Sequence, residues 1–378
     1  MAKAAPQLDV LVLGEHPAAY LAAALLKHKT RFRVMHSTIP GEAAADRLVM
    51  INPKFYHLHP LLEPLRKRLD TRGVYGLQFL GNDPATRSEY RSKSIVADIA
   101  SLKKVRQEMH RLAEAQDVEL VTPKQLTVHR LDEKGIEVKI GNHAVHPKAV
   151  VLAGRLEEAH HRILGVPDDW ENGILHRYSF VKLKGTKWLD LGTRPLIPMS
   201  LDLDASLHWA WLLPGPKHVQ LAIEQPLEST LRIRPVELLW QWVKVLTDHH
   251  VLKAPVEVTP DMVESMDLPF AGALAHEGLA NRTLLIGPAG GFVSANAEDV
   301  YPTCWSAIHA ADVLKKALKE QHLQDALQPY RQKWRTTLGD YLRGPQQNLK
   351  FLLPLVYRNQ NMTDRLAEAI LTGQSVVR

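Results

Sequence analysis

Residues 8–27 read LDVLVLGEHPAAYLAAALLK, and this stretch decides the fold. Leu8 to Leu13 is a short apolar run of strand character that stops at Gly14. From Pro17 to Lys27 the composition turns to Ala and Leu, which favour a helix. Pro17 suits the first turn of that helix, where its missing N–H is no loss. Phe32 to Met35 (FRVM) reads as a second strand. Strand, glycine turn, helix and strand within about thirty residues is the opening unit of a Rossmann-type nucleotide-binding fold.

Beyond this unit, Ile39 to Arg91 is irregular and punctuated by Pro40, Pro53, Pro60, Pro64 and Pro84. A helix of good formers is expected from Leu102 to Ala115, then strands at Glu119–Val121, Leu126–Leu131, Ile136–Ile140 and Ala149–Leu152. From Gly165 to Gln225 the chain alternates in period two, as antiparallel strands do. Pro235 to Thr247 reads as an amphipathic helix, and Thr283 to Ile286 as a strand ending at Gly287. A helix is expected to start soon after Pro302 and run to Leu318. The tail from Gln324 is helical in composition, with breaks at Gly344–Pro345 and at Pro354. Two strand–glycine turns thus lie almost the whole chain apart, with an antiparallel insert between them.

The 378 residues suffice for two or three domains, and 45% hydrophobic with 23% charged residues is ordinary for a globular chain. No apolar run reaches the roughly 18 residues of a membrane span. Met1 to Leu8 lacks the apolar stretch of a signal peptide, so a cytoplasmic setting is expected. Cys304 is the single cysteine, which excludes an intrachain disulfide and a thiolate metal cluster. The excess charge of +6 is spread along the chain, without a basic stripe or nucleic-acid module, so no nucleic-acid partner is expected. Histidines number 19, paired at His160–His161 and His249–His250, yet none is joined in sequence by the companions a zinc site collects. No metal is expected.

This order of features resembles the superfamily of geranylgeranyl reductases and the flavin monooxygenases that share their fold, over roughly Asp9 to Leu342. Gly14-Glu15-His16-Pro17-Ala18-Ala19 stands where that family has a GxGPAG turn. Ala153-Gly154-Arg155, followed by Arg162-Ile163-Leu164-Gly165, stands where it has Ala-Asp-Gly and Arg-x-x-Leu-Gly. Gly287-Pro288-Ala289-Gly290-Gly291-Phe292-Val293-Ser294 is similar to its second flavin motif, GDAAGF, and Glu298-Asp299-Val300-Tyr301 to the continuation Glu-Gly-Ile-Tyr. Trp209-Ala210-Trp211-Leu212-Leu213-Pro214 resembles the Tyr-x-Trp-x-Phe-Pro strand that lines the isoprenoid pocket of the reductases.

The resemblance implies an α/β, Rossmann-like FAD/NAD(P)-binding fold with an inserted antiparallel-sheet substrate domain and a helical tail. It divides the chain into a flavin domain (1–40, 95–165 and 271–322), a substrate domain (41–94 and 166–270) and a tail (323–378). It implies FAD as cofactor, held by Gly14, His16, Pro17, Ala18, Ala19, His36, Gly287, Pro288, Gly291 and Glu298. Trp209, Trp211 and Tyr301 would line a pocket for an apolar, isoprenoid-like small molecule, with Glu298 or Tyr301 available to deliver a proton. The plainer reading is that both tryptophans fill the core.

Departures from the pattern fall at each cofactor contact. The second motif glycine is His16, whose side chain is expected to point into the space of a diphosphate, and the third is Ala19. The second strand ends Val34-Met35-His36-Ser37, with no ribose-binding carboxylate near until Glu42. Pro288 replaces the motif Asp and removes an N–H. Asp299 adds charge beside the flavin position, and the Ala-Asp-Gly loop loses its Asp. The cysteine loop of many reductases has no counterpart in Leu48-Val49-Met50-Ile51-Asn52-Pro53. Three functions follow as alternatives: a flavin reductase, a non-catalytic relative using the scaffold for a ligand or protein partner, and a non-redox flavin cyclase similar to lycopene cyclases. Cys304 reads as a buried structural thiol rather than a reactive one. The segment from Asn348 to Arg358 reads either as a helix capping the core or as a peripheral membrane contact.

Overall fold

The computed structural model describes residues 7–42, 46–132, 135–166, 175–185, 187–189, 192–203, 209–254, 256–269, 278–293, 300–343 and 349–372. The chain opens with β1 (Gln7–Leu13), α1 (Pro17–Lys27) and β2 (Val34–Ser37). Next come β3 (Leu48–Ile51), α2 (Leu65–Arg68), β4 (Arg72–Val74), β5 (Gly76–Leu80), β6 (Arg87–Arg91) and β7 (Ala97–Ser101). α3 (Leu102–Glu114), β8 (Glu119–Val121), β9 (Leu126–Asp132), β10 (Gly135–Ile140), β11 (His143–Leu152) and α4 (Glu158–Leu164) follow. Then come β12 (Leu175–Lys184), β13 (Ile197–Ser200), β14 (Trp209–Pro214), β15 (His218–Pro226), α5 (Pro235–Asp248) and β16 (Glu264–Pro269). β17 (Leu279–Ala280), β18 (Thr283–Leu285), α6 (Val300–Ala317), α7 (Leu323–Leu327), α8 (Pro329–Arg343), α9 (Leu349–Val356) and α10 (Gln360–Thr372) complete it.

The first sheet has the order β17-β18-β11-β1-β2-β8, with β18, β11, β1, β2 and β8 all parallel. β1 sits at the centre, and its residues alternate between two cores. Val10 and Val12 pack with α1 and α6, whereas Leu11 and Leu13 pack with β9, β10 and α4. A strand buried on both faces has to be apolar throughout, which is why this run reads so clearly. Each such side chain contributes roughly 1.5–3 kcal/mol on burial.

The second sheet runs β16-β12-β15-β14-β13-β5-β6, antiparallel except for β13 beside β5. Its period-two alternation sends Trp209, Trp211 and Leu213 to a face covered by α9, α10 and the small β3-β7-β4 sheet. Ala210 and Leu212 face Trp242 of α5 on the other side. Among the described residues, no helix is long and apolar enough to cross a membrane.

The expected helix over Pro17–Lys27 forms as read, and the second strand is shifted to Val34–Ser37. α6 starts at Val300, ahead of Pro302, which its first turn tolerates because no helical partner is lost there. Pro354 does not break the tail as expected. It lies inside α9, whose Leu353 and Val356 are held in the core under the second sheet.

Candidate functional site

Three loops meet at the carboxyl ends of the parallel strands, the edge at which open α/β sheets bind ligands. Gly14 leaves β1 with φ +124°, and a Cβ there would lie 2.6 Å from the Gly154 nitrogen. The β1–α1 turn therefore rests directly on the end of β11. Gly287, at the end of β18, has φ +56°. A Cβ on it would lie 3.5 Å from Ala18 Cβ and 3.6 Å from His16 Nδ1. The two glycine turns, from opposite ends of the chain, thus touch. The Gly287 N–H donates to Ser306 Oγ at 3.0 Å, which ties the second turn to α6. Pro288 and Ala289 are half-buried, and the Gly291 N–H closes the turn onto the Pro288 carbonyl at 2.9 Å.

His16 is the residue before α1. Its Nδ1 accepts the Ala18 N–H at 3.2 Å, and its carbonyl accepts the Ala19 N–H at 2.9 Å. The imidazole acts as an N-cap, the role of a side-chain acceptor on the free amides of a helix start. Its Nδ1 lies between the start of α1 and the Gly287 turn.

His36 and Glu42 exchange the places their positions in the sequence suggest. His36 is buried, with Nε2 2.8 Å from the Gly14 carbonyl. A carbonyl only accepts, so Nε2 carries the proton. The ring stacks on Tyr20 at 4.2 Å, and burial lowers its pKa to about 4, against the opposing carbonyl hydrogen bond. No carboxylate stands at the end of β2 itself. Glu42 supplies one from the loop that follows, through Ile39-Pro40-Gly41-Glu42. The Glu42 N–H donates to the Ile39 carbonyl at 3.1 Å, and Gly41 has φ +81°. Pro then Gly at the centre of a type II turn is a local signal that would have located Glu42 in the groove.

The Glu42 carboxylate accepts the Glu15 N–H through Oε2 at 2.9 Å, and a Cβ on Gly154 would collide with it. Burial pushes its pKa up to about 7; the Glu15 N–H opposes the rise, the Glu15 charge adds to it, and Arg106 opposes it. Arg106 of α3 pairs with Glu15 at 2.8 Å. Tyr20 is raised to about 12, first by burial and then by Glu15, with Arg106 opposing. A cavity of about 530 Å³ opens beside Tyr20, lined by Lys104, Arg106, Gln107 and His110.

The expected substrate residues do not gather in one apolar cluster. Trp209 and Trp211 are buried under the second sheet, where Trp211 lies 5.6 Å from the Tyr178 ring. Tyr301 belongs to the core of the first sheet, 5.4 Å from Trp305 and 5.2 Å from Tyr341. Glu298 and Asp299 lie outside the described residues. Two buried polar groups under the second sheet had no sequence signal. Arg47 lies over the Tyr178 ring at 5.1 Å, and the Tyr178 hydroxyl accepts from Gln220. His176 Nδ1 lies 3.2 Å from Glu224 Oε1. Cys304 is buried, and no described His, Cys, Asp and Glu side chains group to hold a metal.

The backbone fits the phosphates of a dinucleotide: a glycine turn, a helix start and a second glycine turn converge on one groove. The side chains fit only with Glu42 and His16 moved, since the Glu42 carboxylate holds the Glu15 amide and His16 Nδ1 the Ala18 amide.

Solved structures superpose on this chain, among them proteins described as flavin- or FAD-dependent. The flavin-dependent brominase Bmp2 superposes with a TM-score of 0.71 at 16% identity, over 97% of this chain and 94% of the brominase. PqsL of P. aeruginosa, in complex with 2-aminobenzoylacetate, does so at 0.69 and 16%, over 91% and 97%. A geranylgeranyl bacteriochlorophyll reductase-like protein of Thermoplasma acidophilum reaches 0.68 at 14%, over 98% and 93%. No protein-family model matches the chain, and no curated protein matches its sequence. The Rossmann-like flavoenzyme fold expected from the motifs is therefore the fold of this chain. Halogenase, monooxygenase and reductase-like proteins share it alike, and fold alone does not choose among their chemistries.

Proposed function

We propose that the chain is an FAD-dependent oxidoreductase acting on an apolar, isoprenoid-type substrate. The observation that carries this reading is the contact between the Gly14 and Gly287 turns at the start of α1. A turn that admits no Cβ, set at a helix N-terminus, is what close approach to a diphosphate requires. The Glu15 amide, the first turn of α1 and the Gly287–Gly290 turn would hold the cofactor. Bound flavin supplies the hydride and oxygen chemistry that side chains lack. The chain's own part is exclusion of water and orientation of substrate. Trp209 and Trp211 support an apolar substrate face, with the His176–Glu224 pair on the strands beside Trp209. The partition into flavin domain, substrate domain and tail belongs to the same reading.

The test is anaerobic. Protein loaded with FAD and reduced chemically should be reoxidised by a prenyl alkene, with return of flavin absorbance. Reduced protein that holds its electrons against every prenyl alkene tried would remove the substrate assignment.

One observation favours a second reading, a relative that has given up the cofactor and kept the scaffold for another ligand or a protein. His16 and Glu42 occupy amides that a diphosphate would use. On this reading the folded protein takes up no FAD at all.

A further inference from the structure

Glu42 is a carboxylate placed where the groove should receive an anion. The turn Ile39–Glu42 carries it back over Gly154, and its Oε2 accepts the Glu15 N–H at 2.9 Å. That amide belongs to the β1–α1 turn, whose free N–H groups face phosphate in a nucleotide site. A ligand phosphate and the Glu42 carboxylate need the same donor and carry the same charge. We propose that Glu42 is the specificity-determining residue of this groove, competing with ligand phosphate so that phosphate-bearing nucleotides bind only once it is protonated or displaced. This rests on the nucleotide-site reading given above.

The charged neighbours set the sign. Glu15 faces Glu42 from the β1–α1 turn, Tyr20 from α1 and Arg106 from α3. His16 follows Glu15, and Arg155 follows Gly154. Arg106 already pairs with Glu15 at 2.8 Å, so its charge is shared between two carboxylates. Burial, the first cause, raises Glu42 to about 7, which puts its titration near neutrality. Charged, it repels a diphosphate; neutral, its O–H can donate to a phosphate oxygen.

Calorimetric titration of the full chain with ADP and with FAD, at about pH 6 and about pH 8, tests this. With a carboxyl titrating near 7 that must be protonated, wild-type affinity should fall about tenfold between the two conditions. Glu42→Gln and Glu42→Ala should bind at least as tightly as wild type does at the lower pH, with little change between the two. Changes in the ligand's own ionisation are common to all three proteins. An equal pH dependence in wild type and both variants would overturn the role of Glu42 and leave the nucleotide site standing. Absence of ADP and FAD binding in all three folded proteins, at both pH values, would overturn the site and this role together.

Discussion

Gly14 and Gly154 pack backbone against backbone, so closely that a Cβ on Gly14 would lie 2.6 Å from the Gly154 nitrogen. Gly14 also holds φ +124°, which side chains rarely adopt. Gly14→Ala therefore meets two penalties, backbone strain and a collision with main chain. We expect a loss of about 2–6 kcal/mol in urea unfolding, from strain of about 1–3 and overpacking of about 1–3 kcal/mol. A loss below about 0.5 kcal/mol would mean that the turn is not packed this way.

Trp211 is buried at 2% exposure beside Tyr178, which makes it a core residue before it is anything else. Trp211→Ala should cost about 3–5 kcal/mol of stability. A side chain lining an open pocket would cost far less, so an unchanged unfolding midpoint would mean that Trp211 lines open space and not the core.

The histidines and Glu42 give opposite pH dependences. His36 and His309 are both lowered to about 4, chiefly by burial. Their folded pKa lies below the unfolded value of about 6.5, so their contribution is whole above that pH and is lost as pH falls towards 4. Stability should decline by a few kcal/mol over that acid window, and His36→Asn should remove the His36 share of the decline in chemical denaturation at stepped pH.

Glu42 runs the other way. Its folded pKa of about 7 lies above the ordinary glutamate value of 4.5, so its contribution is present below 4.5 and is lost as pH rises through 7. Glu42→Gln should then unfold later than wild type at about pH 8, by about 1–3 kcal/mol, and match it at about pH 4. A variant less stable than wild type at the higher pH would mean that the carboxylate is held by more than the Glu15 amide.

Local patterns made the first half of the groove legible. An apolar run buried on both faces, a glycine with no room for a Cβ and an Ala-rich helix all act within twenty residues of one another. The second glycine turn was legible for the same reason, and so was the alternation that sends Trp209 and Trp211 to one face. Glu42 was misplaced because distance along the chain stood in for distance in space, although Pro40-Gly41 marked the reversal. His176–Glu224 and Arg47–Tyr178 were illegible in a stronger sense. Their partners lie on different parts of the fold, 48 and 131 positions apart by number, and no spacing rule joins them. α9 kept Pro354 because burial of Leu353 and Val356 outweighs one lost helical hydrogen bond.

The central claim is that the groove formed by Gly14, α1 and Gly287 takes FAD. It is tested most directly by titrating the purified full-length chain and Glu42→Gln with FAD at about pH 6, following quenching of flavin fluorescence. The account predicts saturable, equimolar uptake by both proteins. Two folded proteins that leave flavin fluorescence unchanged across the titration would contradict it.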